Sequence, residues 1–296
     1  MRGASRTLAA TIALAALPSL AQTPKPAWPG ADTWARAALW DDGQAEIATY
    51  EARRSAFGAQ RPYETTFITV KETFTTDTWT KAESEPPAAK AIEVLKQNQV
   101  ENWIADNYPC HATTTVAVDR ADASRLLKLT MGHHEWCGST FKEWRGWMKP
   151  PELMSSSYWE GEGAASRRVE PGGDGPLLLV DQLPLALRSL PFAAGFEARV
   201  RLVPSLVSSR VGDPRAVAGA IRVAGKERVE CAAGAFDCWR VAVTWEDGGA
   251  ATYFFAADAP HALVRYELPE KSGSLAKLRR WAYWDSSTPD PAAAKR

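Results

Sequence analysis

The residues best suited to chemistry are four cysteines and four histidines, and five of these eight lie between residues 110 and 137. The run Glu135-Trp136-Cys137-Gly138 places a carboxylate, a large aromatic ring and a thiol side by side. Imidazole is a common zinc ligand, and on a hairpin His111 and His134 would be diagonal neighbours. Zinc requires three or four ligands. No third ligand is evident on that face, so the sequence predicts no metal site.

Glu135 with Trp136, Trp144 and Trp147 is the combination that would suit ligand binding, including a sugar held on aromatic rings. A glycoside hydrolase also needs a second carboxylate about 5–10 Å from the first. The spacing of the acidic residues selects no such pair. The chain contains no Gly-X-Ser-X-Gly motif and no Cys-X-X-Cys motif. We therefore predict ligand-binding residues but no catalytic residues and no cofactor.

The cysteines are even in number and allow three pairings. A β-hairpin centred between Ala123 and Ser124 would place Cys110 directly opposite Cys137, at the separation that a disulfide requires. Cys231 and Cys238 flank a glycine-containing loop between two strand-like runs. The spacing therefore predicts the disulfides Cys110–Cys137 and Cys231–Cys238. The alternative is four reduced thiols.

The first 21 residues have the pattern of a secretory signal peptide, with cleavage after Ala21. Arg2 and Arg6 are followed by an apolar run from Leu8 to Leu17, which is too short to span a bilayer. The pattern predicts a periplasmic or secreted protein, and no later stretch suggests a membrane span. Lys and Arg total 35 and Asp and Glu total 35, without a basic stripe, so nucleic acid is not an expected partner.

Many short runs of β-branched and aromatic residues are separated by turn residues, which is typical of an all-β protein. We predict a mainly β fold, an antiparallel barrel or half-barrel of many short strands with one or two short helices. The apolar segment Leu177–Leu190 is expected to be a strand running into a short helix. Residues 22–285 would form one β-rich domain, or two β subdomains meeting near 160–175, and 286–296 a disordered tail.

Three stretches of the sequence carry a resemblance to known proteins. They are Trp40–Ile47, Tyr50, Gly58, Arg61 and Val70–Glu72; Glu135–Gly138 and Phe141; and Glu227–Glu230, Ala233–Val243, Tyr253 and Leu263–Glu267. Together they resemble a family of exported bacterial proteins that often carry the label "septum formation inhibitor Maf". The last stretch also resembles a widespread exported β-domain of unknown function, related in fold to periplasmic lipoprotein carriers. Proteins properly called Maf are cytosolic pyrophosphatases with a Ser-X-Ser-Pro-Arg loop, which is absent here, so the resemblance implies an exported β-protein.

Three functional hypotheses follow. The first is a non-catalytic exported protein of the cell envelope that binds a lipid or another apolar or amphipathic ligand inside the barrel. The second is a structural or assembly protein that contacts another envelope protein through a sheet edge. The third is a secreted carbohydrate hydrolase that uses Glu135 and the nearby tryptophans.

Overall fold

The structure, a computed structural model, describes residues 34–56 and 58–290. It is built mainly of β-strands with one short α-helix among the described residues, which confirms the predicted mainly β fold. The predicted signal peptide, residues 1–21, and the last part of the predicted tail, residues 291–296, lie outside the described residues. None of the helices within the described residues is long and apolar enough to cross a membrane.

The strands are numbered in chain order. They are β1 (Ala45–Ala56), β2 (Ala59–Thr75), β3 (Thr80–Lys81), β4 (Ala91–Ile104), β5 (Pro109–Asp119), β6 (Asp122–Glu135), β7 (Gly138–Arg145), β8 (Glu152–Ser157), β9 (Ala164–Arg168), β10 (Leu177–Leu179), β11 (Glu197–Val203), β12 (Val217–Cys231), β13 (Gly234–Trp245), β14 (Ala250–Ala256), β15 (Leu263–Glu267) and β16 (Lys271–Trp281). The α-helix, α1, is Leu183–Ala186.

The strands of the described residues form one 16-stranded sheet that does not close. Its order is β10 to β16, then β1, β2 and β4 to β9, with β3 beside β2. Neighbouring strands are antiparallel except β10 and β11, which are parallel. The first strand therefore lies in the middle of the sheet, and the two edge strands, β9 and β10, are consecutive in the chain. Such an up-and-down meander is the predicted half-barrel.

Some central strands are longer than the short strands that were predicted. Strand β4 has 14 residues and contains no glycine or proline, so nothing in its sequence ends the ladder early. Strand β2 has 17 residues. Every second residue from Tyr63 to Phe67 lies on its buried face, namely Tyr63, Thr65 and Phe67. This period of two sets an inner and an outer face along the whole sheet.

The segment Leu177–Leu190, here called the plug, fills the inside of the curled sheet. It consists of β10, α1 and the 3₁₀ turns Val180–Gln182 and Leu187–Ser189, so a short strand does run into a short helix. Leu183 and Leu187 pack into a core formed with β12 to β16, whereas Leu185 packs into a second core formed with β4 to β8. Because the plug is buried all round, it shows no amphipathic periodicity in the sequence.

A buried ion pair anchors the plug to the sheet. Arg188 donates from both terminal nitrogens to Glu46 of β1, at 2.7 and 3.0 Å, and it also donates to the carbonyl of Pro260. Both side chains are almost fully buried, and the guanidinium lies 4.6 Å from the centre of the Trp34 ring. This bidentate geometry satisfies two charges that would otherwise be costly to bury.

The predicted register of the β5–β6 hairpin is wrong. The structure pairs Cys110 with Glu135, not with Cys137. The turn lies at Arg120 and Ala121, and two irregularities near Val118 change the pairing between the turn and the rest of the ladder. The prediction assumed that residues pair symmetrically about the centre of the turn. It therefore misplaces the pairing at the far end of the hairpin by two residues.

Removal of one partner of the buried pair should destabilise the fold more than removal of both. We expect Arg188→Met to lower the free energy of unfolding by about 3–5 kcal/mol, because it leaves the Glu46 charge buried and unpaired. The double variant Glu46→Met/Arg188→Met should recover part of this loss. Urea unfolding of the two single variants and the double variant measures the coupling, and strictly additive losses would contradict it.

Candidate functional site

Two of the predicted ligand-binding residues, Glu135 and Trp136, lie at the turn between β6 and β7. Trp136 is 76% exposed and stacks on Tyr108, with ring centres 6.0 Å apart. Glu135 lines a shallow groove together with Cys110 and His134. This groove is on the rim of the sheet and not inside it.

The other two predicted residues lie elsewhere. Trp144 points inward from β7 and is buried in the core beside Leu129 and Leu153. Trp147 follows the opposite end of β7 and stacks on Trp79, with ring centres 5.1 Å apart. The length of β7, at about 3.3 Å per residue, separates Trp147 from Trp136. The structure therefore does not bring the four residues together into one binding surface.

His111 and His134 are directly opposite each other across β5 and β6, not diagonal, and their ring centres are 6.4 Å apart. Each ring already has partners. His111 contacts Asn102 Oδ1 at 2.6 Å and Thr113 Oγ1 at 2.8 Å, and His134 contacts Ser139 Oγ at 3.0 Å. Within residues 34–56 and 58–290, no group of three or more His, Cys, Asp or Glu residues is arranged to hold a metal ion.

All four cysteines are free thiols in the structure, so neither predicted disulfide is present. Cys110 lies opposite Glu135, while Cys238 pairs with Glu227 and Cys231 with Gly234, so neither predicted pair is a directly opposed cross-strand pair. Burial, with Glu135 nearby, raises the pKa of Cys110 to about 11. Burial likewise raises the pKa of Cys238 to about 12, whereas Cys137 is exposed.

A cavity of about 340 Å³ lies at the end of the sheet where β1, β4, β11, β13 and β15 finish; we call this end the mouth. Most of its wall is apolar, and two cationic side chains, Arg54 and Lys271, line one side. The full lining comprises Arg54, Val180, Leu202, Pro204, Ser205, Val207, Ser208, Val217, Trp245, Asp247, Leu268, Pro269, Glu270 and Lys271. Such a combination suits a ligand with an apolar body and a polar end.

The two cations are held by one buried carboxylate, Glu101 of β4. Arg54 Nη1 donates to Glu101 Oε2 at 3.0 Å, and Lys271 Nζ donates to Glu101 Oε1 at 2.9 Å. Burial alone would raise the pKa of Glu101, but the charges of Lys271 and Arg54 hold it below its usual value. Glu101 is therefore a carboxylate, and both cations keep fixed positions on the wall.

Residues 204–211, here called the strap, follow β11, and four of them line the cavity. Lys142 of β7 has no exposed surface and donates to the carbonyls of Leu206 at 2.8 Å, Ser208 at 3.1 Å and Arg210. Asp181 of the plug accepts from the Ser205 hydroxyl at 2.5 Å and from the Leu206 amide at 2.7 Å. Buried polar side chains thus fix the strap at a set distance from the sheet.

Beneath Arg54 lies a layer of buried polar groups. The guanidinium lies 3.7 Å from the centre of the Trp103 ring, and the centres of the Trp103 and His133 rings are 5.3 Å apart. Arg54 Nε, Trp103 Nε1 and His133 Nδ1 are buried without a hydrogen-bond partner among the described residues. Buried polar atoms of this kind are rare unless water or a ligand completes them.

No pattern in the sequence predicted a site at Arg54, Glu101 or Lys271. Charged residues in an alternating strand are normally assigned to the solvent face, and Glu101 lies at an inward position of β4. The available signal was the alternation itself, since Gln97, Gln99, Glu101 and Trp103 share one face, and Trp103 suggests that this face is buried.

The buried imidazole should make stability depend on pH. Burial, then the charges of Arg54 and Lys142, lower the pKa of His133 to about 4. An unfolded His has a pKa of about 6.5, so between these values the unfolded chain binds one more proton than the folded chain. Stability from this source therefore falls as the pH drops from about 6.5 to 4, by up to about 3 kcal/mol.

The variant His133→Gln, which does not titrate, isolates this effect from the carboxylates that also protonate on acidification. Chemical unfolding at a series of pH values should show a steeper acid loss in the natural protein than in His133→Gln. Equal losses would mean that His133 is protonated equally in both states.

The rate at which each thiol reacts should decrease as its burial increases. In the reduced native protein, Ellman's reagent should modify Cys137 fastest, because it is exposed, while Cys110 and Cys238 should react only as the chain unfolds. Cys137→Ser should remove the fast phase, and Cys231→Ser should leave it intact. A fast phase that persists in Cys137→Ser would show that a buried thiol is accessible.

Residues 179–279 match the model of a family described as a protein of unknown function (DUF3108). The match contains the third stretch of resemblance noted in the sequence, and it supports the expectation of an uncharacterised β-rich family. No curated protein matches the chain.

Three solved structures are similar to this chain. A β-barrel-like protein of domain of unknown function DUF1849 from Brucella abortus is 10% identical over 80% of this chain and 98% of that chain, with a TM-score of 0.47. A DUF1089 family protein from Pseudomonas aeruginosa is 13% identical over 59% and 83% of the two chains, with a TM-score of 0.35. A candidate exported protein with a YmcC-like fold from Bacteroides fragilis is 12% identical over 86% and 98%, with a TM-score of 0.24.

Proposed function

We propose that this protein is an exported, non-catalytic protein of the bacterial envelope that binds an apolar or amphipathic ligand in the cavity at the mouth. The observation that carries this proposal is the cavity itself, which has a mostly apolar wall and a fixed cationic side. Its volume of about 340 Å³ lies at the lower end of the range for small-molecule sites. A single-chain amphiphile is the class of ligand that fits this shape.

The way in which the strap is held supports ligand binding rather than simple packing. The strap contributes Pro204, Val207 and Ser208 to the cavity, yet its own backbone is held by Lys142 and Thr140 on the far side of the sheet. The strap therefore spans the cavity without filling it. A preformed space of this kind reduces the entropy that a ligand must lose on binding.

Export is part of the same proposal and is supported by the signal-like residues 1–21. Expression of the full chain in a bacterium should yield a periplasmic form that begins at Gln22. N-terminal sequencing of that form is the measurement. A protein that remains in the cytosol with Met1 intact would contradict the proposed export to the envelope.

A second candidate, a structural protein acting through protein contacts, is favoured by the exposed rim of the mouth. Trp136 is the most exposed of the large apolar side chains there, and Ile104 and Tyr158 are also exposed. Ile104 and Trp136 line the same groove, and contiguous exposed apolar surface commonly marks an interaction site. The hydrolase hypothesis has no similar support, because Trp144 and Trp147 lie away from Glu135.

Binding can be tested with decanol, a neutral single-chain amphiphile, by isothermal titration calorimetry. Val217 is the first residue of β12 and lines the cavity, so Val217→Trp should occupy the space and weaken binding at least about tenfold. Ala220→Trp is the matched control, because Ala220 lies on the same strand, is exposed and belongs to the opposite face. It should bind decanol like the natural protein.

Two results would overturn this assignment. One is the absence of decanol binding in the natural protein and in the control. The other is equal weakening by Val217→Trp and Ala220→Trp when both variants unfold at the same temperature as the natural protein, which would place the ligand on the outer surface. Thermal unfolding of both variants establishes that condition.

A further inference from the structure

The cationic side of the mouth cavity carries more positive charge than its own carboxylate neutralises. Arg54 and Lys271 each use one oxygen of Glu101, at 3.0 and 2.9 Å. Glu101 is 1% exposed and lies behind the two cations, so it cannot also face the cavity. Two cations against one carboxylate leave a residual charge of one positive unit on the wall.

Arg54 and Lys271 also keep hydrogen-bond donors that Glu101 does not use. The Arg54 guanidinium lies 3.7 Å from the centre of the Trp103 ring and donates to Glu101 through Nη1. Lys271 spends one of its three N–H donors on Glu101. Charged donors in a poorly hydrated site are costly unless an acceptor is supplied. An anionic ligand would supply it.

The other charged groups near the cavity are engaged elsewhere or exposed. Asp181 is buried in the plug and does not line the cavity, and its two oxygens accept from the Ser205 hydroxyl and the Leu206 amide. Asp247 and Glu270 line the outer edge of the cavity and are exposed, so water screens them. His133 lies behind Trp103 and adds no charge at neutral pH, because its pKa is lowered to about 4.

We propose that the ligand of the mouth cavity is a single-chain amphiphile with a monoanionic carboxylate head. This inference rests on the binding function proposed above. The head accepts hydrogen bonds from Arg54 and Lys271, and the chain lies along Leu202, Val217 and Trp245. A single negative charge matches the residual positive charge, whereas a doubly charged phosphate would leave an unpaired negative charge at the wall.

The test compares ligands that share one chain and differ only in the head: decanoate, decanol, decyl phosphate and decylammonium, titrated into the natural protein by calorimetry. We expect decanoate to bind at least about tenfold more tightly than decanol, as expected for a charge-assisted hydrogen bond. Decyl phosphate should bind less tightly than decanoate, and decylammonium should bind least tightly. This series requires no variant, so it does not depend on how a substitution affects folding.

Variants then locate the head. Arg54→Gln and Lys271→Gln should each reduce the preference for decanoate over decanol to less than about threefold, while decanol binding itself changes little. Arg53→Gln is the matched control, because Arg53 is the adjacent residue on β1, is exposed and does not line the cavity. It should keep the full preference.

The outcomes separate this inference from the function on which it rests. Equal binding of decanol and decanoate by the natural protein would overturn the carboxylate head but leave the binding function intact. Preferred binding of decylammonium would show that Asp247 and Glu270 dominate, and preferred binding of decyl phosphate would assign a dianionic head. Failure of all four ligands to bind would overturn both proposals.

Discussion

The buried bidentate pair between Arg188 and Glu46 is the contact on which the rest of the structure depends. A sheet that curls without closing leaves its inner face exposed unless another segment covers it. The plug provides this cover, and Arg188 fixes its depth by joining it to β1, the strand in the middle of the sheet. Leu183, Leu185 and Leu187 can then pack on opposite sides because the position of the plug is set by a directional contact.

The strap and the cavity follow from the same arrangement. Once the plug is fixed, Asp181 offers a carboxylate to the strap, and Lys142 binds the same segment from β7. These contacts connect the β10–β11 side of the sheet to the strands near its other edge, β9. Because these contacts reach the strap mainly through its backbone, the space beneath the strap remains open at the mouth. The strap thus bounds the cavity in which we propose that a ligand binds.

The fold class could be predicted from the sequence because strands and turns have local signals. The β5–β6 hairpin was recognised, but its register was not, since the irregularities near Val118 depend on packing rather than on residue type. The same error led to the wrong pairing of Cys110 with Cys137. The inner site was missed for a different reason: Glu101, Lys142 and Lys271 are charged residues at positions that face inward, and only the tertiary structure supplies their partners.

The free-energy cost of burying charged side chains in the interior indicates what these residues are for. Buried ion pairs are often no more stabilising than apolar residues of similar volume, so a sheet selected only for stability has little reason to keep Arg54, Glu101 and Lys271 on one inner face. The polar groups also differ in how they are used: Lys142 and Asp181 bond the strap, whereas Arg54 and Lys271 each give Glu101 one donor and line the wall of a cavity. Satisfied groups at structural joints and charged donors in reserve at an open space are what a site prepared for a ligand requires.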